Sequence, residues 1–245
     1  MRRARHGDEQ PRTALAGPEE ALAERLIVAL DRPDLEQALR LVDHLDDRVR
    51  FYKVGLTLYT AAGHAAVRAL VERGKRVFLD LKLHDIPAQV AGAVTAARGL
   101  GAALLTVHTA GGGAMLEAAV AAATGSPLAL LGVTVLTSQT AVGGEVERRA
   151  RLAVASGLDG VVCSPLEIAA LRAALGRGPL VVTPGIRPRQ AAVAGEDQVR
   201  VATPEAALAA GASHLVVGRP ITGAPEPRDA VDAILTAMRA GLAAG

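Results

Sequence analysis

Eight short apolar runs, separated by segments of helical composition, constrain the fold of this chain more than any other feature of its sequence. The runs recur at intervals of roughly 20 to 30 residues, which is room for one strand and one helix each. They are Leu26–Leu30, Phe51–Val54, Val77–Leu81, Ala103–Val107, Leu128–Val135, Gly160–Cys163, Leu180–Thr183 and Leu215–Val217. Such alternation predicts a parallel sheet, and a count of eight predicts closure into a single (β/α)₈ barrel of the α/β class.

The segments between these runs have the composition of helices. They are Leu35–Leu45, Ala61–Glu72, Ala88–Arg98, Met115–Ala123, Val146–Ser156, Leu166–Leu175, Thr203–Ala210 and Arg228–Ala240. An open, doubly wound sheet is the alternative architecture, and it needs a glycine-rich dinucleotide loop after an early strand. The first strand instead runs into Asp31-Arg32-Pro33-Asp34, which favours the barrel.

The length of the chain and the distribution of its charges indicate how it is divided into domains. The chain has 245 residues, which fits one barrel domain, and its net charge is +2. The first twelve residues carry four arginines and two carboxylates; without them, 23 basic and 23 acidic residues remain. We therefore expect residues 1–24 to be a disordered basic extension and residues 25–245 to form the barrel.

Composition argues against nucleic-acid binding, a membrane-spanning segment and an internal disulfide. A balanced charge and only four aromatic residues argue against nucleic-acid binding. No apolar run approaches the roughly 18 residues needed to span a membrane. The single cysteine, Cys163, excludes an internal disulfide and suits a reducing cytoplasm.

Polar and charged residues follow nearly every predicted strand. They are Asp31, Lys53, Asp80 with Lys82, His108, Thr137 with Ser138, Ser164, Pro184 through Arg187, and Gly218 with Arg219. Each has an ordinary structural explanation: Asp31 could cap a helix, and His108 could be a hydrogen-bonded residue at a strand end. A barrel brings the carboxyl ends of its strands to one mouth, so their joint occurrence there predicts an active site.

The segment Asp80–Pro87 is the densest of these groups. Strand alternation places Phe78, Asp80 and Lys82 on one face. Opposite charges at the end of a buried strand need each other, further partners or a ligand. Asp85 adds a second carboxylate just beyond the strand, and two carboxylates around one ammonium can tune a proton donor. A structural ion pair is the alternative.

The last two strand ends suggest where a phosphate would bind. Gly218 allows close backbone approach and Arg219 follows it as a permanent cation, at the usual phosphate position of such barrels. The connection from Pro184 to Thr203 is long and polar, which predicts a mobile lid, with an ordinary surface loop as the alternative.

Taken together, these motifs resemble the orotidine 5′-phosphate decarboxylases of bacteria, over roughly Leu26 to Thr222. The matching segments are Val28–Asp31, Lys53–Gly55, Phe78–Pro87, Val133–Ser138, Thr183–Pro188 and Val217–Thr222. The chain departs from the family pattern in its N-terminal extension and around residues 189–196, which carry no matching lid residue. The resemblance implies decarboxylation of orotidine monophosphate to UMP in pyrimidine biosynthesis, with no cofactor and no metal.

The resemblance also implies roles for individual residues. Lys82 would stabilise and protonate the C6 carbanion, and Asp80 would lie against the departing carboxylate. Asp85 would come from the partner subunit of a homodimer and complete a charge array with Lys53, Asp80 and Lys82. The implied substrate contacts are Asp31, Lys53, Asp80, Ile86, Thr137, Pro184, Arg187, Gln198, Gly218 and Arg219.

Two alternative functions remain open at this stage. The related Mg²⁺-dependent group, 3-keto-gulonate-phosphate decarboxylase and hexulose-phosphate synthase, shares the Asp-x-Lys-x-x-Asp pattern. Its members have a glutamate at the second strand end, where this chain has Lys53, a cation that would repel a divalent ion. A non-catalytic phosphate-binding protein on the same fold is the other alternative, because fold does not fix function.

Overall fold

The computed structural model describes residues 22–138, 143–188 and 200–243, and within them eight parallel strands form a closed barrel in sequential order. The predicted (β/α)₈ architecture is therefore confirmed. The strands are β1 (Leu26–Ala29), β2 (Phe51–Gly55), β3 (Arg76–Leu83), β4 (Leu104–His108), β5 (Ala129–Val133), β6 (Gly160–Val162), β7 (Leu180–Thr183) and β8 (His214–Val217). The predicted basic extension lies outside the described residues as far as residue 21, and Leu22 is buried in the core.

Helices connect the strands and surround the barrel. They are α1 (Leu35–Leu45), α2 (Leu56–Ala62), α3 (His64–Glu72), α4 (Pro87–Gly99), α5 (Gly112–Ala123), α6 (Glu145–Ala155), α7 (Ile168–Leu175), α8 (Pro204–Ala209), α9 (Arg219–Thr222) and α10 (Pro227–Ala243). Short 3₁₀ turns occur at Asp46–Arg48, Thr109–Gly111 and Pro165–Glu167. In the three described ranges, no helix combines the length and the hydropathy that a membrane crossing requires.

Two details differ from the sequence prediction. The predicted helix Ala61–Glu72 is two helices, α2 and α3, separated by Gly63 at φ 56°, a left-handed conformation that glycine adopts without steric cost. The possible helix cap at Asp31 is wrong. Asp34 caps α1 instead, because its side chain accepts a hydrogen bond from the Gln37 backbone N–H at 3.1 Å.

The strands separate two hydrophobic cores. Alternate residues of each strand point inward, so that Ile27, Phe51, Phe78 and Leu104 belong to a small core inside the barrel. The residues between them face a much larger core shared with the helices. This alternation decides which strand residues reach the barrel mouth.

The outer core depends on close contact between α8 and α10. A Cβ atom on Gly241, in α10, would lie 2.5 Å from the carbonyl oxygen of Glu205, in α8. A Cβ atom on Gly92, in α4, would meet no atom of a neighbouring element within 4 Å.

We therefore expect opposite effects of alanine at these two helical glycines. Gly241→Ala should lower the free energy of unfolding by about 1–3 kcal/mol, because added volume in a packed interface forces the helices apart. Gly92→Ala should raise it by about 0.5–1 kcal/mol through helix propensity. Urea unfolding followed by circular dichroism would measure both. A stable Gly241→Ala variant would show that the two helices can separate without cost.

Candidate active site

A cavity of about 530 Å³ opens at the carboxyl ends of the strands. That volume is in the range of small-molecule sites. Its lining includes the polar residues Asp31, Lys53, Asp80, Lys82, Thr137, Ser138, Arg187 and Arg219, together with Pro184, Gly185 and Gly218. Residues predicted from six different strand ends are thus brought to one mouth.

Four charged side chains form a row of alternating sign within the cavity. The Lys53 Nζ lies 2.7 Å from Asp31 Oδ1 and 3.8 Å from Asp80 Oδ2. The Lys82 Nζ lies 2.8 Å from both carboxylate oxygens of Asp80. The side chains of Lys53 and Asp80 are only 11% and 13% exposed. Charges this well shielded require partners, and each has one or two of opposite sign.

A missing side chain makes room for this row. Gly55 pairs with Asp80 across β2 and β3, two residues beyond Lys53 on the same inward face. A Cβ atom on Gly55 would lie 2.6 Å from Lys53 Nζ and 2.9 Å from Asp31 Oδ1. The Lys53 ammonium therefore occupies space that any other residue at position 55 would fill.

Lys82 reaches the cavity from an irregular piece of strand. Between the pairs Leu79–Leu105 and Leu83–Val107, β3 advances four residues while β4 advances two. Lys82 lies in this bulge with φ 51°, a conformation that costs a non-glycine residue roughly 1–2 kcal/mol. Bulges re-aim side chains at functional sites, and this one directs the Lys82 ammonium toward Asp80.

Thr106 is a residue of this site that sequence reasoning missed. Its hydroxyl accepts a hydrogen bond from the Lys82 backbone N–H at 2.8 Å and donates one to Asp80 Oδ1 at 3.0 Å. Thr106 is completely buried. The available signal was its position: it is a polar residue on the inward face of an apolar strand, beside the strand that carries the Asp80–Lys82 motif.

The opposite wall of the cavity is apolar. It is formed by Val133, Val135, Leu136, Val162 and Cys163. Cys163 is fully buried, and burial, reinforced by the nearby Glu167 carboxylate, raises the pKa of its thiol to about 12. Cys163 is thus a small residue of the core that also borders the cavity.

Arg187 and Arg219, the latter next to Gly218 in the chain, add two permanent cations to the lining of the cavity. The two ends of the long β7–α8 connection meet here, since the Arg187 N–H donates to the Ala202 carbonyl at 2.9 Å. Arg200, a second residue missed by the sequence analysis, pairs with Glu167 and donates to the Leu136 carbonyl at 3.2 Å. The predicted contact Gln198 and the lid residues 189–199 lie outside the described residues.

Asp85 and Ile86, also predicted for the site, do not line this cavity. The Asp85 side chain is exposed and accepts a hydrogen bond from the Ile86 N–H at 2.6 Å. Ile86 is 62% exposed, which is unusual for a large apolar residue.

His108 also lies away from the cavity lining, as the ordinary explanation of a strand-end histidine predicted. Its Nδ1 accepts a hydrogen bond from the Ala110 N–H, and its ring stacks on His84 with centroids 5.4 Å apart. Burial, followed by the neighbouring His84, lowers the pKa of His108, so its ring is neutral at pH 7. A neutral ring can accept the Ala110 hydrogen bond, which a doubly protonated one could not.

The donor set of this mouth suits an anion better than a divalent metal. In the three described ranges, no group of three histidine, cysteine, aspartate or glutamate side chains is arranged to hold an ion. The position between Asp31 and Asp80, where such an ion would be attracted, is taken by the ammonium of Lys53.

In a comparison with known proteins, one family model matches most of this chain, and the similar proteins share the name of that family. Residues 24–234 match the model of the orotidine 5′-phosphate decarboxylase / HUMPS family. The orotidine 5′-phosphate decarboxylase of Anaeromyxobacter sp. (strain K) is 50% identical over 227 residues, covering 88% of this chain and 99% of that protein. The one from Halorhodospira halophila is 52% identical over 230 residues, covering 88% and 96%.

Solved structures agree with the sequence comparison. The crystal structure of orotidine 5′-phosphate decarboxylase from Lactobacillus acidophilus superposes with a TM-score of 0.77 at 37% identity, covering 88% of this chain and 99% of that one. The corresponding enzyme from Pyrococcus horikoshii OT3 gives a TM-score of 0.71 at 27% identity, covering 87% and 99%.

The buried thiol beside the cavity gives a prediction that does not depend on function. With a pKa of about 12, Cys163 should react with a disulfide reagent such as DTNB at pH 8 at least roughly 100-fold more slowly than free cysteine. The reaction should become complete and fast in guanidinium chloride. Rapid labelling of the folded protein would mean that the wall formed by Val162 and Cys163 opens to solvent.

Proposed function

This chain belongs to the orotidine 5′-phosphate decarboxylase / HUMPS family, and we propose that it converts orotidine 5′-monophosphate and a proton to UMP and CO₂ without a cofactor. The observation that carries the proposal is the row Asp31–Lys53–Asp80–Lys82 in a cavity that is also lined by Arg187 and Arg219. Orotidine 5′-monophosphate carries a phosphate, which the two arginines can bind, and a C6 carboxylate, which the Asp80–Lys82 pair can act on.

Lys82 is the proton donor in this proposal. When the bond from C6 to the carboxylate breaks, CO₂ leaves and the electron pair stays on C6, in an orbital that the ring cannot delocalise well. The Lys82 ammonium stabilises that pair and then transfers a proton to C6. Asp80, held 2.8 Å from the ammonium, lies against the substrate carboxylate and disfavours it relative to the carbanion.

The remaining polar residues bind the parts of the substrate that do not react. Asp31 and Lys53 bind the ribose, Thr137 binds the base, and Arg187, Gly218 and Arg219 bind the phosphate, with Pro184 beside them. The close Asp31–Lys53 pair offers both an acceptor and a donor to neighbouring hydroxyls. Gln198 belongs to the proposed phosphate contacts through the family resemblance alone.

We further propose that the active form is a homodimer in which Asp85 and Ile86 act in the partner's cavity. Both side chains are exposed in the single chain, and neither lines the cavity of its own chain. An exposed isoleucine beside an exposed carboxylate fits a two-fold interface, where one residue contributes apolar area and the other a charge. A partner's Asp85 would add the second carboxylate beside Lys82.

The function is tested by incubating the purified protein with orotidine 5′-monophosphate in excess EDTA. We expect the change in pyrimidine absorbance and the release of CO₂ to proceed at the same rate with and without chelator. Lys82→Ala should retain less than about one hundredth of wild-type kcat, because proton transfer alone contributes roughly 10²–10⁴-fold. Circular dichroism would show that this variant is folded.

The alternatives predict different results in the same assay. Activity that is lost in EDTA and restored by Mg²⁺ would identify the metal-dependent branch. Binding of orotidine 5′-monophosphate without turnover would identify a phosphate-binding protein. A Lys82→Ala variant with near-normal kcat would remove Lys82 from the mechanism while leaving the reaction itself in place.

The shared site is tested by mixing two inactive homodimers. Lys82→Ala and Asp85→Ala should each be nearly inactive. In a mixed dimer, one cavity lacks both groups and the other lacks neither. Unfolding the variants together and refolding them should therefore restore up to roughly a quarter of wild-type activity if chains pair at random.

A matched pair of variants controls for refolding artefacts. Lys53 and Lys82 line the cavity of the same chain. A mixture of Lys53→Ala with Lys82→Ala therefore leaves every cavity defective, and it should stay inactive. If the Asp85→Ala mixture also stays inactive although heterodimers form, Asp85 acts within its own chain.

A further inference from the structure

The buried hydroxyl of Thr106 lies where β3 and β4 stop pairing regularly. The residues on either side of it, Leu105 and Val107, pair with Leu79 and Leu83, so Thr106 stands opposite the whole bulge that carries Asp80 and Lys82. A regular ladder would give the Lys82 backbone N–H a carbonyl partner. In this bulge the Thr106 hydroxyl takes that place, at 2.8 Å.

The two hydrogen bonds of this hydroxyl have a fixed direction. A backbone N–H can only donate, so Thr106 must accept from Lys82. Its own hydrogen is then free for Asp80 Oδ1, 3.0 Å away, and an ionised carboxylate can only accept. The same Asp80 oxygen also receives the Lys82 ammonium at 2.8 Å. Thr106 therefore links the backbone of Lys82 to the carboxylate that its side chain contacts.

Building on the proposed function, we propose that Thr106 is a positioning residue for the decarboxylation: it fixes the left-handed Lys82 backbone and orients the Asp80 carboxylate, so that ammonium and carboxylate keep their relative places while C6 acquires charge. Thr106 acts through these two residues and does not touch substrate, since it is 0% exposed and is not among the described residues that line the cavity. A group preorganised in this way helps the chemical step more than substrate binding.

The central experiment compares two substitutions that divide the threonine side chain. Thr106→Val keeps its shape and removes the hydroxyl; Thr106→Ser keeps the hydroxyl and removes the methyl group. We expect Thr106→Val to lower kcat by about 10- to 100-fold, the size of a lost buried hydrogen bond to a charged group. The KM for orotidine 5′-monophosphate and the inhibition constant of UMP should change less than about three-fold, because the ribose and phosphate contacts lie on other residues. Thr106→Ser should keep kcat within about five-fold of wild type.

Thr109→Val is the matched control. Thr109 is another buried threonine just after β4, and its hydroxyl donates at 2.7 Å to the backbone carbonyl of Val133 rather than to the charged row. Thr109→Val should lower the midpoint of thermal unfolding about as much as Thr106→Val, while its kcat stays within about three-fold of wild type.

Three kinetic outcomes would overturn the proposal. Thr106→Val with nearly normal kcat would show that the hydroxyl is dispensable. Thr106→Ser as slow as Thr106→Val would assign the effect to packing of the methyl group. A rise in KM and in the UMP inhibition constant that matches the loss of kcat would make Thr106 a binding residue. Should Thr106→Val fail to fold, Thr106→Cys replaces it: its thiol is a weak donor, so its kcat should fall below that of Thr106→Ser, and a kcat equal to that of wild type would overturn the proposal.

A structural measurement separates this proposal from the proposed function. If wild-type protein does not decarboxylate orotidine 5′-monophosphate, the function fails, and crystal structures still decide the role of Thr106. In Thr106→Val we expect Lys82 to leave its left-handed conformation, or its ammonium to move away from Asp80. An unchanged bulge and an unchanged Lys82–Asp80 contact would overturn the positioning role.

Discussion

The arrangement of this barrel mouth depends on the placement of the Lys53 ammonium between two carboxylates. Lys53 leaves β2 one layer below Asp31 and Asp80, and its ammonium reaches their level through the space beside Gly55. Without that cation, the Asp31 and Asp80 carboxylates would lie near each other with no positive charge between them, which is unfavourable. A single residue without a side chain thus permits the whole charged row, and the spacing of Lys53 and Gly55 on one strand face is a structural requirement.

The irregularity of β3 is the second requirement. In a regular strand, Asp80 and Lys82 would lie two residues apart on the same face, with their side chains side by side and parallel. In the bulge opposite Thr106, Lys82 instead lies in the left-handed region, and its ammonium contacts both oxygens of Asp80. Such a conformation persists only where surrounding contacts hold it, and the buried Thr106 hydroxyl supplies one of these contacts.

The recurrence of apolar runs and the polar residues that follow them predicted most of the barrel, but little of the local geometry of the bulge. Eight apolar runs predicted eight strands, and the residues after them predicted the cavity lining, because parallel strands in a barrel all end at one mouth. The bulge was not predictable, since it arises from a register between strands that are distant in sequence. Thr106 escaped notice for the same reason: its partners are 24 and 26 residues away. The predicted helix boundary and helix cap were wrong where a single residue sets them, as at Gly63 and Asp34.

The charge balance explains how such a site can favour the transition state over the bound substrate. Within one chain, two ammonium groups offset two carboxylates, so the row is close to neutral. In the proposed reaction, substrate brings a further carboxylate beside Asp80, where like charges repel. As CO₂ forms, that negative charge moves onto C6 and toward Lys82, which relieves the repulsion and strengthens an attraction. In the same proposal, Arg187 and Arg219 of the cavity lining would hold the phosphate and contribute the binding free energy that offsets the unfavourable contact of the bound substrate. In this proposal, phosphate binding by the two arginines and repulsion at Asp80 are therefore complementary. Without the arginines, the repulsion would prevent substrate from binding. Without the repulsion, tight binding would not accelerate the reaction.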